Sequence, residues 1–177
     1  MDSINKNQPE DNHDDLMSTE AVEKVKEMVK KANSCFFCTA LNSGHVPTRP
    51  MSVQRVDDDG TMWFLSASDS HKNKEIAANS DVQLYFQGSA HSDFMELYGK
   101  ASIVRDRNII HELWGPLLKT WFTEGKDDPR ITALKFEPSE GYYWDNKHGN
   151  AIAGVKIMIG AVIGQTLDDS IEGKLRM

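Results

Sequence analysis

Cysteine is almost missing from this 177-residue chain, and the only two stand in one run, Cys35-Phe36-Phe37-Cys38. A CxxC pair used for redox or metal chemistry sits in a turn or at a helix start, whereas Cys35 to Leu41 reads as a buried strand. On a strand, positions i and i+3 face opposite ways, so these thiols do not converge on one metal or bond readily. Core packing, with each thiol acting as a small hydrophobe, is the expectation. A surplus of basic residues is also missing. The net charge is -7 and the pI about 5.3, which argues against general binding to nucleic acid or anionic membrane. An anionic ligand would need a local basic pocket. No apolar run is long enough for a bilayer: the longest, Ala151 to Gly164, is interrupted by Lys156 and falls short of roughly 20 residues, so it is expected in core or interface. Residues 1–17 lack the apolar stretch of a secretory signal and the Arg-rich character of a transit peptide, which makes the cytoplasm the default. They are acidic and nearly devoid of apolar side chains, and a mobile tail is expected there. There is no GxxxxGK[ST] loop and no internal repeat.

What is present belongs to one globular domain: 39% hydrophobic residues, with four Trp and seven Phe. A helix is predicted from Ser18 to about Ala32–Ser34, with Val22, Val25, Met28 and Val29 as its apolar stripe and Lys24 on its exposed side. Strands follow over Cys35–Leu41, Val46–Val56 and Thr61–Ser66, joined by turns at Asn42-Ser43-Gly44 and Asp57-Asp58-Asp59-Gly60. This antiparallel meander is of the kind that closes into small barrels. Ser70 is positioned to cap a short helix through Asn79. Strands over Val82–Phe86 and Phe94–Val104 come next, with a bend or bulge at Gly99. A helix over Arg107–Trp114 precedes a strand at Ile131–Phe136 that resumes at Tyr142–Trp144. His148–Ile163 is read as a helix.

Three constellations could carry chemistry. In Thr48 to Arg55, alternation places Arg49, Met51, Val53 and Arg55 on one face and Pro50, Ser52 and Gln54 on the other. A Pro inside a strand belongs at an edge or bulge, so this strand is either open to a ligand on one side or an edge with solvated arginines. The polar loop Ser66 to Lys74 leaves a strand and enters a helix, where free amides, hydroxyls and Lys make a reasonable phosphate-binding set. Two lysines in that first turn oppose the helix dipole, which an anion would explain; a solvated helix end is the alternative. The aromatic run Leu113-Trp114, Trp121-Phe122 and Tyr142-Tyr143-Trp144 fills a core or offers a stacking partner to a flat ring. His91, His111 and Glu112 are isolated acid–base candidates.

The order of RPMSVQ, WFLSASDSHKNKEI, LYGKA, the LW to WF to GKDDP run and EPSEGYYWD resembles the general stress protein branch of the pyridoxamine 5'-phosphate oxidase-like flavin-binding split barrels, over roughly Ser18 to Asp145. The resemblance implies a mainly β (α+β) domain at 18–145 built on a six-stranded antiparallel split β-barrel with flanking helices, after the tail at 1–17 and before a helical extension at 146–177. It also implies a homodimer with flavin mononucleotide (FMN) at the subunit interface. Carried over by position, Arg49 and Lys72 would contact the phosphate, with Ser66, Ser70 and His71 near it and Leu65 beside them. The backbone of Pro50, Met51, Ser52, Val53 and Gln54 would run along the ring, with Trp144 near the ring or its partner-chain side. The basic RLHxR-like stretch with which the true oxidases hold pyridoxal phosphate has no counterpart here, so vitamin B6 oxidation is not implied. The expected function is an FMN-dependent oxidoreductase drawing on a nicotinamide or other small-molecule electron donor. The alternatives are a non-catalytic flavin-binding or flavin-buffering stress protein, and haem or deazaflavin binding on the same fold.

Overall fold

The computed structural model describes residues 12–90, 92–147 and 169–177. Among them the chain runs β1 (Leu16–Met17), α1 (Thr19–Ala32), β2 (Ser34–Cys38), β3 (Thr48–Ser52), β4 (Arg55–Val56), β5 (Met62–Ala67), α2 (His71–Ala78), β6 (Asp81–Gln87), β7 (Phe94–Val104), α3 (Arg107–Leu113), β8 (Ile131–Asn146) and β9 (Ser170–Arg176). The aromatic stretch between α3 and β8 forms two short 3₁₀ turns, Pro116–Thr120 and Gly125–Asp127. No helix among the described residues is long and apolar enough to cross a membrane.

β8 is the spine. It pairs with the whole length of β7, from Val104↔Ala133 to Phe94↔Trp144. Its first half also pairs with β5 (Ala67↔Ile131 to Met62↔Phe136) and its second half with β9 (Glu140↔Arg176 to Asn146↔Ser170). The sheet therefore forks at β8. One path runs β7-β6-β2-β3, another reaches β5 and β4, and β9 adds β1 in parallel. Among the described residues the result is a mainly β architecture, a mixed sheet of nine strands whose ladder does not close.

The predicted strand over Val46–Val56 is two strands. After Ser52 the Val53 N–H donates to the Asn33 carbonyl and the Gln54 N–H to that of Trp63. The chain thus leaves β2 and joins β5, and covalent continuity, not a hydrogen-bonded ladder, bridges the split. Ile131–Asn146 is likewise one uninterrupted strand where two were expected. The register shift between Tyr98 and Gly99, opposite Pro138, absorbs the proline's missing donor, and Gly99 sits at the bulge as anticipated. Residues 12–17, assigned to a tail, supply β1. Of the expected helical extension over 146–177, Ser170–Arg176 is a strand, and the helix read at His148–Ile163 lies outside the described residues, as do residues 1–11.

α1 lays Ala21, Val25, Met28 and Val29 on the sheet over Phe37, Phe64, Leu84, Leu97 and Phe136. Ser18 precedes it at positive φ without a side-chain cap. A second core gathers Trp63, Leu65, Ile110, Leu113, Phe122 and Ile131 beneath α3. β5 separates the two, which is why five successive residues, Met62 to Ser66, are buried on both faces.

Candidate functional site

Among the described residues β3 is the last strand of its path and pairs only with β2. Pro50 is therefore tolerated, since its missing N–H faces away from a ladder. Beyond the two-residue pairing of β4 with β5, Leu65, Ser66 and Ala67 have no strand partner on that side among the described residues. Between these two strand edges lies a cavity of about 700 Å³ lined by Ser34, Arg49, Pro50, Met51, Ser52, Gln54, Leu65, Ser66, Ala67, Lys72, Leu118, Trp121 and Phe122. That volume lies within the range of small-molecule sites. Eight residues singled out in the sequence meet here: Arg49, Pro50, Met51, Ser52, Gln54, Leu65, Ser66 and Lys72.

The polar end is organised from behind. Arg49 Nη1 donates to Thr39 Oγ1 at 2.6 Å and Nη2 to Glu75 Oε2 at 2.8 Å, while Thr39 Oγ1 donates to the same Glu75 oxygen at 2.5 Å. Burial alone would raise the Glu75 pKa, but the hydrogen bonds from Thr39 and Arg49 hold it below the usual glutamate range. Lys72, one turn earlier on α2, has no hydrogen bond or ion pair among the described residues. Burial lowers its pKa first, the neighbouring Arg49 lowers it further, and Glu75 offsets only part of this.

The first turn of α2 is pinned by a buried amide. The Asn73 side chain donates to Thr132 Oγ1 (2.8 Å) and accepts from Ser66 Oγ (2.7 Å) and Ser70 Oγ (3.0 Å). Ser70 caps the helix by accepting from the Asn73 N–H. Ser70 thus lies behind the cavity wall, and its contacts with Ser66 and Asn73 lock the position from which Lys72 projects. The apolar part of the lining includes Leu65, Leu118, Phe122 and Trp121, the last 68% exposed.

Four residues read as site members are not in this lining. Val53 packs on the main core, Ser70 caps α2, and His71 is exposed at the start of α2. Trp144 lies on the outer sheet face in a second hollow, of about 480 Å³, with Phe36, Tyr85, Phe86, Gln87, Phe94 and Met95. Pro50, in the lining of the first hollow, and Phe36, in that of the second, are partners across the β2–β3 ladder. His111 pairs with Asp127 (2.9 Å) and Glu112 with Arg55 (3.1 Å), both outside the two cavities; His91 lies outside the described residues. Cys35 and Cys38 are buried and free, Cys38 Sγ lying 3.3 Å from Thr48 Oγ1, and burial pushes the Cys35 thiol pKa up.

Thr39, Glu75, Asn73 and Thr132 were not foreseen. For Glu75 a signal existed: it stands three residues from Lys72 and four from His71, on one helix face.

A family model described as pyridoxamine 5'-phosphate oxidase like matches residues 20–168. Protein bli-3 of Neurospora crassa is 24% identical over 110 residues, covering 57% of this chain and 53% of that protein, so the match spans about half the length of that relative. A Jannaschia sp. CCS1 structure assigned as general stress protein 26 superposes with a TM-score of 0.73 at 23% identity, covering 88% of this chain and 97% of that one. The general stress FMN/FAD binding protein of Xanthomonas citri does so with a TM-score of 0.60 at 23% identity, covering 69% and 86% respectively. At such identities the likeness to the solved structures is one of fold.

Proposed function

This chain belongs to the pyridoxamine 5'-phosphate oxidase-like family, and from that premise we propose that the cavity between β3 and β5 is a flavin mononucleotide site. One observation carries the reading: Arg49 and Lys72, the latter without a hydrogen bond or ion pair among the described residues, line one cavity together with Leu65, Leu118, Trp121 and Phe122. In a protein of net charge -7, that is the local basic pocket an anionic ligand needs. The donor set fits a phosphate monoester: a guanidinium already held by Thr39 and Glu75, and an ammonium. Leu65, Met51, Leu118, Phe122 and Trp121 fit a flat ring and keep water from it.

When bound, the flavin supplies hydride or electron transfer. The chain's part is to bind the phosphate, orient the ring along β3 and exclude solvent. Among the described residues the cavity is lined by no His, Asp or Glu, so Lys72 is the only titratable group positioned to hold or move a proton there. This leaves two readings: a flavin-dependent oxidoreductase with a small-molecule electron donor, and a stress protein that binds or buffers flavin without turnover. The lack of an acid–base pair favours neither a hydrolytic nor a group-transfer reaction.

Titration with FMN, followed by visible absorbance, should show saturable binding, with riboflavin bound far more weakly. Arg49→Ala or Lys72→Ala should each cost about tenfold or more in FMN affinity and shrink the difference from riboflavin. An anion favours the charged Lys72, so affinity should fall as pH rises through the depressed pKa, below the ordinary lysine value of 10.5. Equal affinity of the intact protein for FMN and riboflavin would overturn the phosphate assignment. Reduction of the bound flavin by a nicotinamide, with reoxidation by an added acceptor, separates enzyme from buffer.

A further inference from the structure

Glu75 contacts Arg49 and Thr39 yet lines no part of the cavity. The guanidinium lies between this carboxylate and the space in front. Each Arg49 terminal nitrogen spends one N–H on the Thr39–Glu75 pair, which leaves the remaining donors for a ligand. Thr39 is fully buried, whereas the Arg49 and Glu75 side chains each keep 23% of their surface exposed. The carboxylate is therefore more than a buried structural partner, because its charge, 2.8 Å from the Arg49 guanidinium, counts in the field that the cavity feels. Arg49 and Lys72 contribute two positive charges and Glu75 removes one.

We propose that Glu75 is the counter-charge of the anion site, fixing Arg49 from behind while lowering the site's net charge so that a phosphate monoester is held reversibly and can exchange. The proposal rests on the phosphate reading given above. It makes Glu75 a positioning and affinity-setting residue that touches no ligand. Its ionised state is favoured by the hydrogen bonds it accepts from Thr39 and Arg49, so the counter-charge persists through the neutral range.

The experiment compares Glu75→Gln, which keeps an acceptor for Arg49 and Thr39 but not the charge, with Glu75→Asp, which keeps the charge. Dissociation constants for FMN and riboflavin are measured at low and high salt. Glu75→Gln should bind FMN about threefold to tenfold more tightly with riboflavin unchanged, and its FMN affinity should fall more steeply with salt. Glu75→Asp should stay near the wild-type FMN-to-riboflavin ratio. Glu75→Asn, uncharged, still an acceptor and matched in shape to Glu75→Asp, is the reserve should Glu75→Gln melt early, and must shift the ratio in the same direction. Unchanged or weaker FMN binding in Glu75→Gln, or the same shift in Gln and Asp variants, overturns the counter-charge while the wild-type preference for FMN still stands. Loss of that preference in the wild type itself would remove both the counter-charge and the site.

Discussion

At the scale of single residues, Lys24 shows how the fold reassigns a side chain. Its place on the polar side of α1 predicts a solvated lysine whose removal changes little. In the structure its ammonium reaches Asp145 at 2.5 Å, and the Asp145 side chain is only 4% exposed. Lys31 approaches the same carboxylate at 3.5 Å and also binds Asp93 at 2.7 Å and Glu27 at 2.8 Å. Burial would lower the Lys31 pKa, but its hydrogen bonds with Asp93 and Glu27 raise it above the usual lysine value. Two helix lysines thus clamp α1 to the end of β8. Removing one partner of a buried pair leaves the other charge under-compensated. Lys24→Ala should cost about 1–3 kcal/mol, read as a lower denaturant midpoint at unchanged slope. Lys26→Ala is the control, because its partners Glu23 and Asp58 are exposed and such surface pairs contribute little. Equal midpoints for the two variants would show that the Asp145 pair adds nothing.

At the scale of elements, the register shift at Gly99 lets β8 run on past Pro138 as one strand. A Cβ at Gly99 would meet the Glu137 carbonyl and the Pro138 Cα, both backbone and unable to move aside cheaply, whereas one at Gly44 would meet nothing within 4 Å. Gly99→Ala should therefore destabilise by about 1–3 kcal/mol through overpacking, and calorimetry should show its melting temperature several degrees below that of Gly44→Ala. Coincident transitions would place the bulge's tolerance elsewhere. The same elements show what was legible in the sequence. β7 and α3 carry clean periodicity and fall where predicted, and α1 differs only at its start. β1 and β9 are invisible to periodicity because two residues of edge strand, and a strand set by its partners, carry no pattern of their own. Pro138 and Gly141 look like breakers, and pairing on both sides of β8 overrides them. At the site, Pro50 inside a strand pointed to an open edge, and the lysines of α2 to an anion. Thr39 was not legible because only the β2–β3 pairing and the docking of α2 bring it to Arg49 and Glu75. The Trp121 cluster was visible as aromatic density, but not as a cavity wall.

At the scale of the whole molecule, the sheet has one face covered by α1, and elsewhere, among the described residues, it carries exposed aromatic side chains. Phe36 is 55% and Tyr85 42% exposed, and they sit side by side across β2 and β6. Beside them Phe94 and Trp144, paired across β7 and β8, line the outer hollow. Exposed aromatics on adjacent strands are a costly surface for a single chain to leave in water. Phe36 also pairs across the ladder with Pro50, which lines the cavity between β3 and β5. A second copy seated on this face by a two-fold axis would cover both hollows and bring its own Trp144 toward the first chain's cavity, so each site would draw on both chains. The expectation is a homodimer with twice the single-chain mass of 19.9 kDa in light scattering at micromolar concentration, burying on the order of 1,000 Å² or more. Phe36→Glu should give monomers, since the axis would set two carboxylates in an apolar contact. FMN affinity should fall with it, although the substitution leaves Arg49 and Lys72 untouched. A wild-type monomer, or a dimer that survives Phe36→Glu, would mean that another surface or no surface pairs the chains. A monomeric variant that binds FMN as tightly as the wild type would show that one chain completes the site alone.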